Sequence, residues 1–195
     1  MNKKNFRKIL VSALIVQGLL IPTSHASNFL DFDKSKSLNN SKIIPTITLW
    51  SQEKKFKIPA NQGVLTSNAW RSSVGSKIGN TIQWDYQVSA VYKGNKKVES
   101  ISTSWYASAS LKNSATMNLG MSKSSVQASS ASSWQNKSTK TKSWTNTNGS
   151  KSADYKSNIV ISPSSDYRSN TISLINTAKV KLKGDPKPYS ISSGI

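Results

Sequence analysis

The chain has 195 residues, with 27 Lys and Arg residues against 8 Asp and Glu, one His and no Cys. This length suffices for a single domain with its own core. The lack of Cys excludes disulfides and thiol nucleophiles, and one His excludes a histidine-rich metal cluster. We therefore expect no metal and no cofactor, and only carboxylates and hydroxyl groups remain for catalysis.

The first 26 residues have the pattern of a secretory signal peptide. Four basic residues precede a mostly apolar run at 9–21, and residues 24–26 place small side chains at both outer positions of a cleavage site. The run is too short for a membrane-spanning helix. We expect cleavage after Ala26, a secreted product without a transmembrane helix, a polar leader at 27–42 and one all-β domain at 43–195.

The pattern of the remaining chain predicts strands. Ser, Thr and Asn are abundant, and their side chains compete with the hydrogen bonds of a helical backbone. Apolar residues alternate with polar ones, which is the period of a half-buried strand. We expect an all-β fold, either an antiparallel β-sandwich or an elongated β-sheet protein, with about seven to nine strands.

The first predicted element is a short hairpin over 47–58 that turns near Glu53 and Lys54. A mixed segment at 60–80 follows. Four of its residues are expected to be buried, namely Val64, Leu65, Ala69 and Trp70.

The clearest alternation runs from Ile82 to Ala90. The dipeptide Gly94-Asn95 follows and suits a two-residue turn, because Gly adopts positive φ at no steric cost. A turn there would place Trp84 opposite Trp105 and make one face of a hairpin continuously apolar.

Residues 101–122 alternate with Lys112 as their only charge. A three-residue loop at 112–114 would pair Leu111 with Ala115 and give two arms of about ten residues, as in a membrane-spanning β-hairpin. The pattern is similar to that of the Ser/Thr-rich hairpins of soluble β-pore-forming toxins. An ordinary half-buried hairpin gives the same alternation. The apolar face of this candidate membrane hairpin comprises Trp105, Ala107, Ala109, Leu111, Ala115, Met117, Leu119 and Met121.

One further turn and a strand complete the expected domain. Asn148-Gly149 is a strong two-residue turn signal that would send the chain back through Ile159 and Ile161. The last strong strand is 172–182, with apolar residues on one side and lysines on the other. The tail after it is expected to be peripheral.

Lysines are the candidate binding residues, since residues 27–195 hold 23 basic and 8 acidic residues, a net charge of +15. Lysines at alternate positions of a strand form a linear array of charge that suits a polyanion. Solubility and the protection of edge strands would use the same lysines. The predicted contact residues are Trp134, Lys137, Lys140, Lys142 and Trp144, together with Lys179, Lys181 and Lys183.

Carboxylates are the only acid–base groups left for catalysis. Asp85 and Glu99 would have to form the pair of a glycan-active enzyme, but no spacing or motif specifies such a pair. We therefore expect a non-enzymatic exported protein that binds an anionic surface: a cell-wall polymer, an acidic glycan or an anionic lipid. Nucleic acid is the least favoured polyanion. The alternative is a bacteriocin-like or pore-forming toxin that oligomerises and inserts the hairpin 101–122.

Overall fold

The computed structural model describes residues 49–112, 114–120 and 133–195. The predicted signal peptide and leader, and Met121 of the predicted hairpin, lie outside these residues. The described part forms eleven strands: β1 (Leu49–Ile58), β2 (Gly63–Ser72), β3 (Ser76–Ile78), β4 (Thr81–Lys93), β5 (Val98–Lys112), β6 (Thr116–Leu119), β7 (Trp134–Ser138), β8 (Lys142–Asn146), β9 (Ser152–Ser162), β10 (Ser173–Leu182) and β11 (Tyr189–Gly194).

The strands form two antiparallel sheets. Sheet A has the order β1-β2-β4-β9-β6, with β3 also paired to β4, and sheet B has the order β11-β10-β5-β7, with β8 also paired to β5. The all-β antiparallel sandwich is thus confirmed. The strand number exceeds the expected range because β3 and β6 to β8 are short segments of three to five residues. Among the described residues, no helix is long and apolar enough to cross a membrane.

The core lies between the sheets, where alternate residues of each strand meet. One apolar cluster surrounds Trp84, Tyr86 and Trp105, and a second contains Leu65 and Val180. Each fully buried large side chain contributes about 1.5–3 kcal/mol through removal of apolar surface from water. The apolar residues whose alternation predicts strands therefore also hold the two sheets together through hydrophobic burial.

A buried polar group at Asn176 links the two sheets. Its amide nitrogen donates to Ser67 Oγ at 3.1 Å and to the carbonyl oxygens of Asn68 and Ser89 at 3.0 and 2.9 Å. Its amide oxygen accepts a hydrogen bond from Thr103 Oγ1 at 2.5 Å. Because a buried amide is costly unless its hydrogen bonds are made, this group favours one registration of the sheets.

The predicted hairpin over 47–58 is wrong. Residues 49–58 form the single strand β1, and Glu53 and Lys54 lie in its middle, opposite Asn68 and Ser67 of β2. The reversal occurs instead at 59–62. Of the buried residues expected in the next segment, Leu65 and Ala69 are buried, whereas Val64 and Trp70 are partly exposed.

The predicted hairpin through Gly94-Asn95 is wrong in its pairing. The chain reverses at 94–97, but β4 pairs with β2 and β9 in sheet A, while β5 pairs with β10 in sheet B. Trp84 and Trp105 are both buried, on opposite sheets. Two strands with apolar faces can lie side by side in one sheet, or they can face each other from the two sheets of a sandwich. Both arrangements bury the apolar faces, so alternation alone does not distinguish them.

The predicted pairing of Leu111 with Ala115 is wrong for the same reason. The chain turns at the expected place, where the Ala115 amide donates to the Lys112 carbonyl at 3.1 Å. β5 remains in sheet B, however, and β6 joins sheet A by pairing with β9, so that Leu119 lies opposite Ile159. The two arms of the predicted hairpin are therefore strands of different sheets.

The Asn148-Gly149 turn also connects the two sheets, since β8 pairs with β5 and β9 pairs with β4. The predicted alternation at 172–182 is confirmed. Its buried side consists of Ile172, Leu174, Ala178, Val180 and Leu182. The tail is at the periphery, where residues 189–194 form the edge strand β11.

Candidate functional site

The two tryptophans of the predicted patch lie on opposite faces of sheet B. Trp134 of β7 is opposite Lys112, and Trp144 of β8 is opposite Thr103. Paired residues share a face of a sheet, and Thr103 points into the core whereas Lys112 points outward. Trp134 and Trp144 are 42% and 44% exposed, but they do not form one contact surface.

Two lysines of the same patch bind backbone carbonyl groups of the protein. Lys137 Nζ donates to the carbonyl oxygens of Lys112 at 3.1 Å and Ala115 at 3.3 Å. Lys142 Nζ donates to the carbonyl oxygen of Leu119. Both ammonium groups join β7 and β8 of sheet B to the chain that enters sheet A. Lys140 is exposed between them.

The lysines of β10 lie near the end of that strand. Lys179 is exposed opposite Ser102, and Lys181 lies opposite Ser100. Lys181 Nζ donates to the Asp185 carbonyl oxygen, and Lys183 is exposed in the next loop. These three lysines place positive charge at this end of β10.

Four loops meet at this end of the sandwich: 59–62, 94–97, 147–151 and 183–188. Tyr92 of β4 donates its phenol hydrogen to the Gln62 carbonyl at 2.5 Å. The Lys183 amide donates to the Lys97 carbonyl at 2.9 Å.

The third loop is attached through Lys151. Its Nζ donates to the Gly94 carbonyl at 2.6 Å and lies 6.0 Å from the Tyr92 ring centroid. Hydrogen bonds thus hold the four loops as one surface.

Gly63 allows the first two loops to approach closely. Its φ is +115°, and a Cβ atom there would meet the carbonyl oxygen of Lys93. A side chain at this position would be strained and would push β2 away from the end of β4. Gly94 is enclosed as closely, because a Cβ atom there would meet the Tyr92 hydroxyl and the Gln62 carbonyl oxygen. Two glycines and Tyr92 therefore set the spacing of these loops.

Seven exposed lysines lie in or beside the four loops, and we call them the basic end. Three carboxylates are near them, on Glu99, Asp154 and Asp185. A hydrogen bond to Asp185 raises the pKa of Tyr189 beside it. The excess of cations gives this end a positive potential that attracts anions. The lysines of the basic end are Lys57, Lys93, Lys96, Lys97, Lys151, Lys183 and Lys187.

The opposite end has a different electrostatic character. Lys112 Nζ lies 3.6 Å from Asp166 Oδ1 and 5.4 Å from the centroid of the Trp134 ring. Ser114 Oγ donates to Asp166, and this hydrogen bond, with the Lys112 charge, lowers the pKa of that carboxyl group. The Lys112 charge is thus offset locally, unlike the charges of the basic end.

The described residues of the candidate membrane hairpin face the core. Seven of the eight lie among the described residues, and six of these seven are buried; Met117 is partly buried against the same core. The buried six are Trp105, Ala107, Ala109, Leu111, Ala115 and Leu119.

Asp85 and Glu99 do not meet in a cleft. Asp85 lies in sheet A and its Oδ1 accepts a hydrogen bond from Asn158 Nδ2 at 2.6 Å. Glu99 is the second residue of β5 in sheet B. Asp85 is eight residues from the end of β4, or about 26 Å along the strand, whereas paired glycosidase carboxylates are roughly 5–10 Å apart.

Only part of the basic end is predictable from the sequence. Lys93, Lys96 and Lys97 flank a turn dipeptide, and this local cluster is visible in the sequence. Lys57 and Lys151 give no such signal, because they approach the cluster only when sheet A forms. Alternation of lysines along a strand therefore indicates Lys183 but not the other six lysines of the basic end.

No protein-family model and no curated protein matches this chain. Among solved structures, the crystal structure of the GAE domain of yeast GGA1 is similar over 74% of this chain and 98% of that chain. The sequence identity is 15% and the TM-score is 0.28. A likeness at this level carries no argument about function.

Proposed function

We propose that this chain is an exported, non-enzymatic protein that binds an anionic polymer outside the cell through its basic end. The observation that carries the proposal is the convergence of seven exposed lysines on four connected loops. The signal-peptide pattern supports an extracellular partner. Polymers with repeating phosphate or carboxylate groups, such as those of cell walls, have the matching chemistry.

Several features favour a polymer over a small anion. The lysines are spread over separate loops and all are exposed, so they would contact successive charges and not enclose one ion. Many weak contacts with a repeating polyanion add up, and they release counterions from the polymer. Such binding is strongly dependent on salt concentration, since exposed charges are screened over about 8 Å at physiological ionic strength.

The test is co-sedimentation of the full-length chain with a cell-wall polymer of repeating phosphates, at low and physiological salt. The variant replaces Lys93, Lys96 and Lys97 with Gln, and the matched control replaces Lys54, Lys77 and Arg168 with Gln. Both remove three positive charges from exposed residues. Only the first should weaken binding and reduce the slope of log K against log salt by about two to three.

Equal losses in the two triple variants would show that net charge, and not the basic end, governs binding. Binding independent of salt would contradict the proposal altogether. The pore-forming alternative is tested with dye-loaded anionic vesicles. It requires the core-facing arm of β5 to leave β10, whereas a polymer-binding protein leaves vesicles sealed. Dye release would favour the toxin function over the proposed one.

A further inference from the structure

A shallow groove on the outer face of sheet A has features of a sugar-binding site. It has a volume of about 350 Å³ and is lined by residues of β2, β4 and β9. This volume lies at the lower bound of the range of small-ligand sites, about 300–1,000 Å³. The groove is separate from the basic end, because Asp85 within it lies near the start of β4.

The register of three strands assembles the groove. Trp70 is opposite Gln87, and Gln87 is opposite Lys156, so these three side chains form one row across the sheet. Asp85 and Asn158 are opposite each other in the next row. Adjacent strands are about 4.8 Å apart, so the three-strand row spans about 10 Å. That distance accommodates one or two pyranose rings laid flat on the sheet.

Trp70 gives the groove an aromatic surface among polar side chains. It is partly exposed on a face where its row neighbours are polar. Asp85 accepts from Asn158 Nδ2, which leaves one carboxylate oxygen and one amide oxygen as further acceptors, while Gln87 and Lys156 supply donors. An indole ring bordered by donors and acceptors matches a sugar ring, with its apolar C–H face and its rim of hydroxyl groups.

We propose that this groove binds a neutral pyranose unit of a glycan, with Trp70 stacking on the ring. A neutral ligand is favoured because the groove contains one carboxylate and one ammonium group, on Asp85 and Lys156, and these charges balance. The basic end, in contrast, has an excess of cations. Binding at the groove is therefore independent of salt. The inference does not depend on the polymer-binding function, and the salt response separates the two.

The experiment titrates the full-length chain with chitotriose and with cellotriose, following the indole N–H signals by NMR. We expect the Trp70 signal to shift with a Kd at or below about 1 mM for one of the sugars. Trp70→Ala should weaken binding by at least about fivefold. Trp144→Ala removes an exposed tryptophan from sheet B and serves as the matched control.

Three results would overturn the proposal. The first is no shift of Trp70 in the unmodified chain with either sugar, a readout that does not depend on how the variants fold; a shift with adenosine monophosphate alone would then assign the groove to a nucleobase, which also stacks on indole. The second is equal weakening by the two Trp variants. The third is loss of sugar binding at high salt, since binding at a neutral groove does not depend on salt.

Discussion

Trp105 of sheet B donates its indole N–H to the phenol oxygen of Tyr86 in sheet A at 2.8 Å. The two ring centroids are 6.4 Å apart, and both side chains are almost completely buried. This hydrogen bond connects the two sheets inside the larger apolar cluster. It satisfies the Trp105 N–H, which would otherwise be buried without a partner. The two positions therefore require a matching donor and acceptor in addition to apolar surface.

Tyr86→Phe should destabilise the fold by about 1–3 kcal/mol, because it leaves the Trp105 N–H buried and unpaired. The measurement is chemical denaturation followed by Trp fluorescence. Tyr106→Phe is the control, since Tyr106 is exposed on sheet B, and it should change stability by less than about 0.5 kcal/mol. Equal stability of Tyr86→Phe and the unmodified chain would show that this hydrogen bond does not stabilise the core.

Tyr86 should also make stability depend on alkaline pH. Burial raises the pKa of Tyr86 to about 12, compared with about 10 in an unfolded chain. Its neutral form is therefore favoured in the folded state, and this contribution is complete below pH about 10 and is lost as pH rises to about 12. The denaturation midpoint should be measured from about pH 8 to about pH 12. It should fall less steeply with pH for Tyr86→Phe than for the unmodified chain. Parallel curves would contradict the assignment.

Asn176→Ala should cost more than about 2 kcal/mol, since it removes the donor for two partly buried carbonyl groups and the acceptor for the buried Thr103 hydroxyl. Thr177→Ala on the same strand is the control, because Thr177 is partly exposed and bonds to Ser192 at the surface. Thermal unfolding of both variants provides the comparison. If Asn176→Ala were as stable as Thr177→Ala, the buried polar group would not determine how the sheets are registered.

Lys142 should be a structural residue and not a polymer contact. Lys142→Met removes the hydrogen bond to the Leu119 carbonyl, so the amides of β6 should exchange with solvent several-fold faster. Polymer affinity should fall only slightly. Lys140→Met, at an exposed lysine two residues earlier, should leave β6 exchange unchanged. A large loss of polymer binding with normal β6 exchange would restore Lys142 to the binding surface.

Alternation in the sequence determined the class of fold and which side of most strands faces the core. From Ile82 to Ala90 and from Ile172 to Leu182, most apolar positions are buried, and only Ile82 and Ile175 are partly exposed. The match arises because a strand turns successive side chains to opposite faces. The signal at Gly94-Asn95 also located a reversal of the chain. These properties depend on residues that are close in sequence, so local patterns are sufficient to predict them.

Only the tertiary structure decided which strands are neighbours and which lysines act together. Tyr86 and Trp105 would have been predicted on one face of a hairpin, but they meet across the sandwich. Lys57, Lys97 and Lys151 come together because β4 pairs with β2 and β9 and because Lys151 binds the Gly94 carbonyl. The physical reason is that hydrophobic burial is non-directional: it requires apolar faces to meet, but the choice of partner depends on the connections and polar contacts of the whole domain.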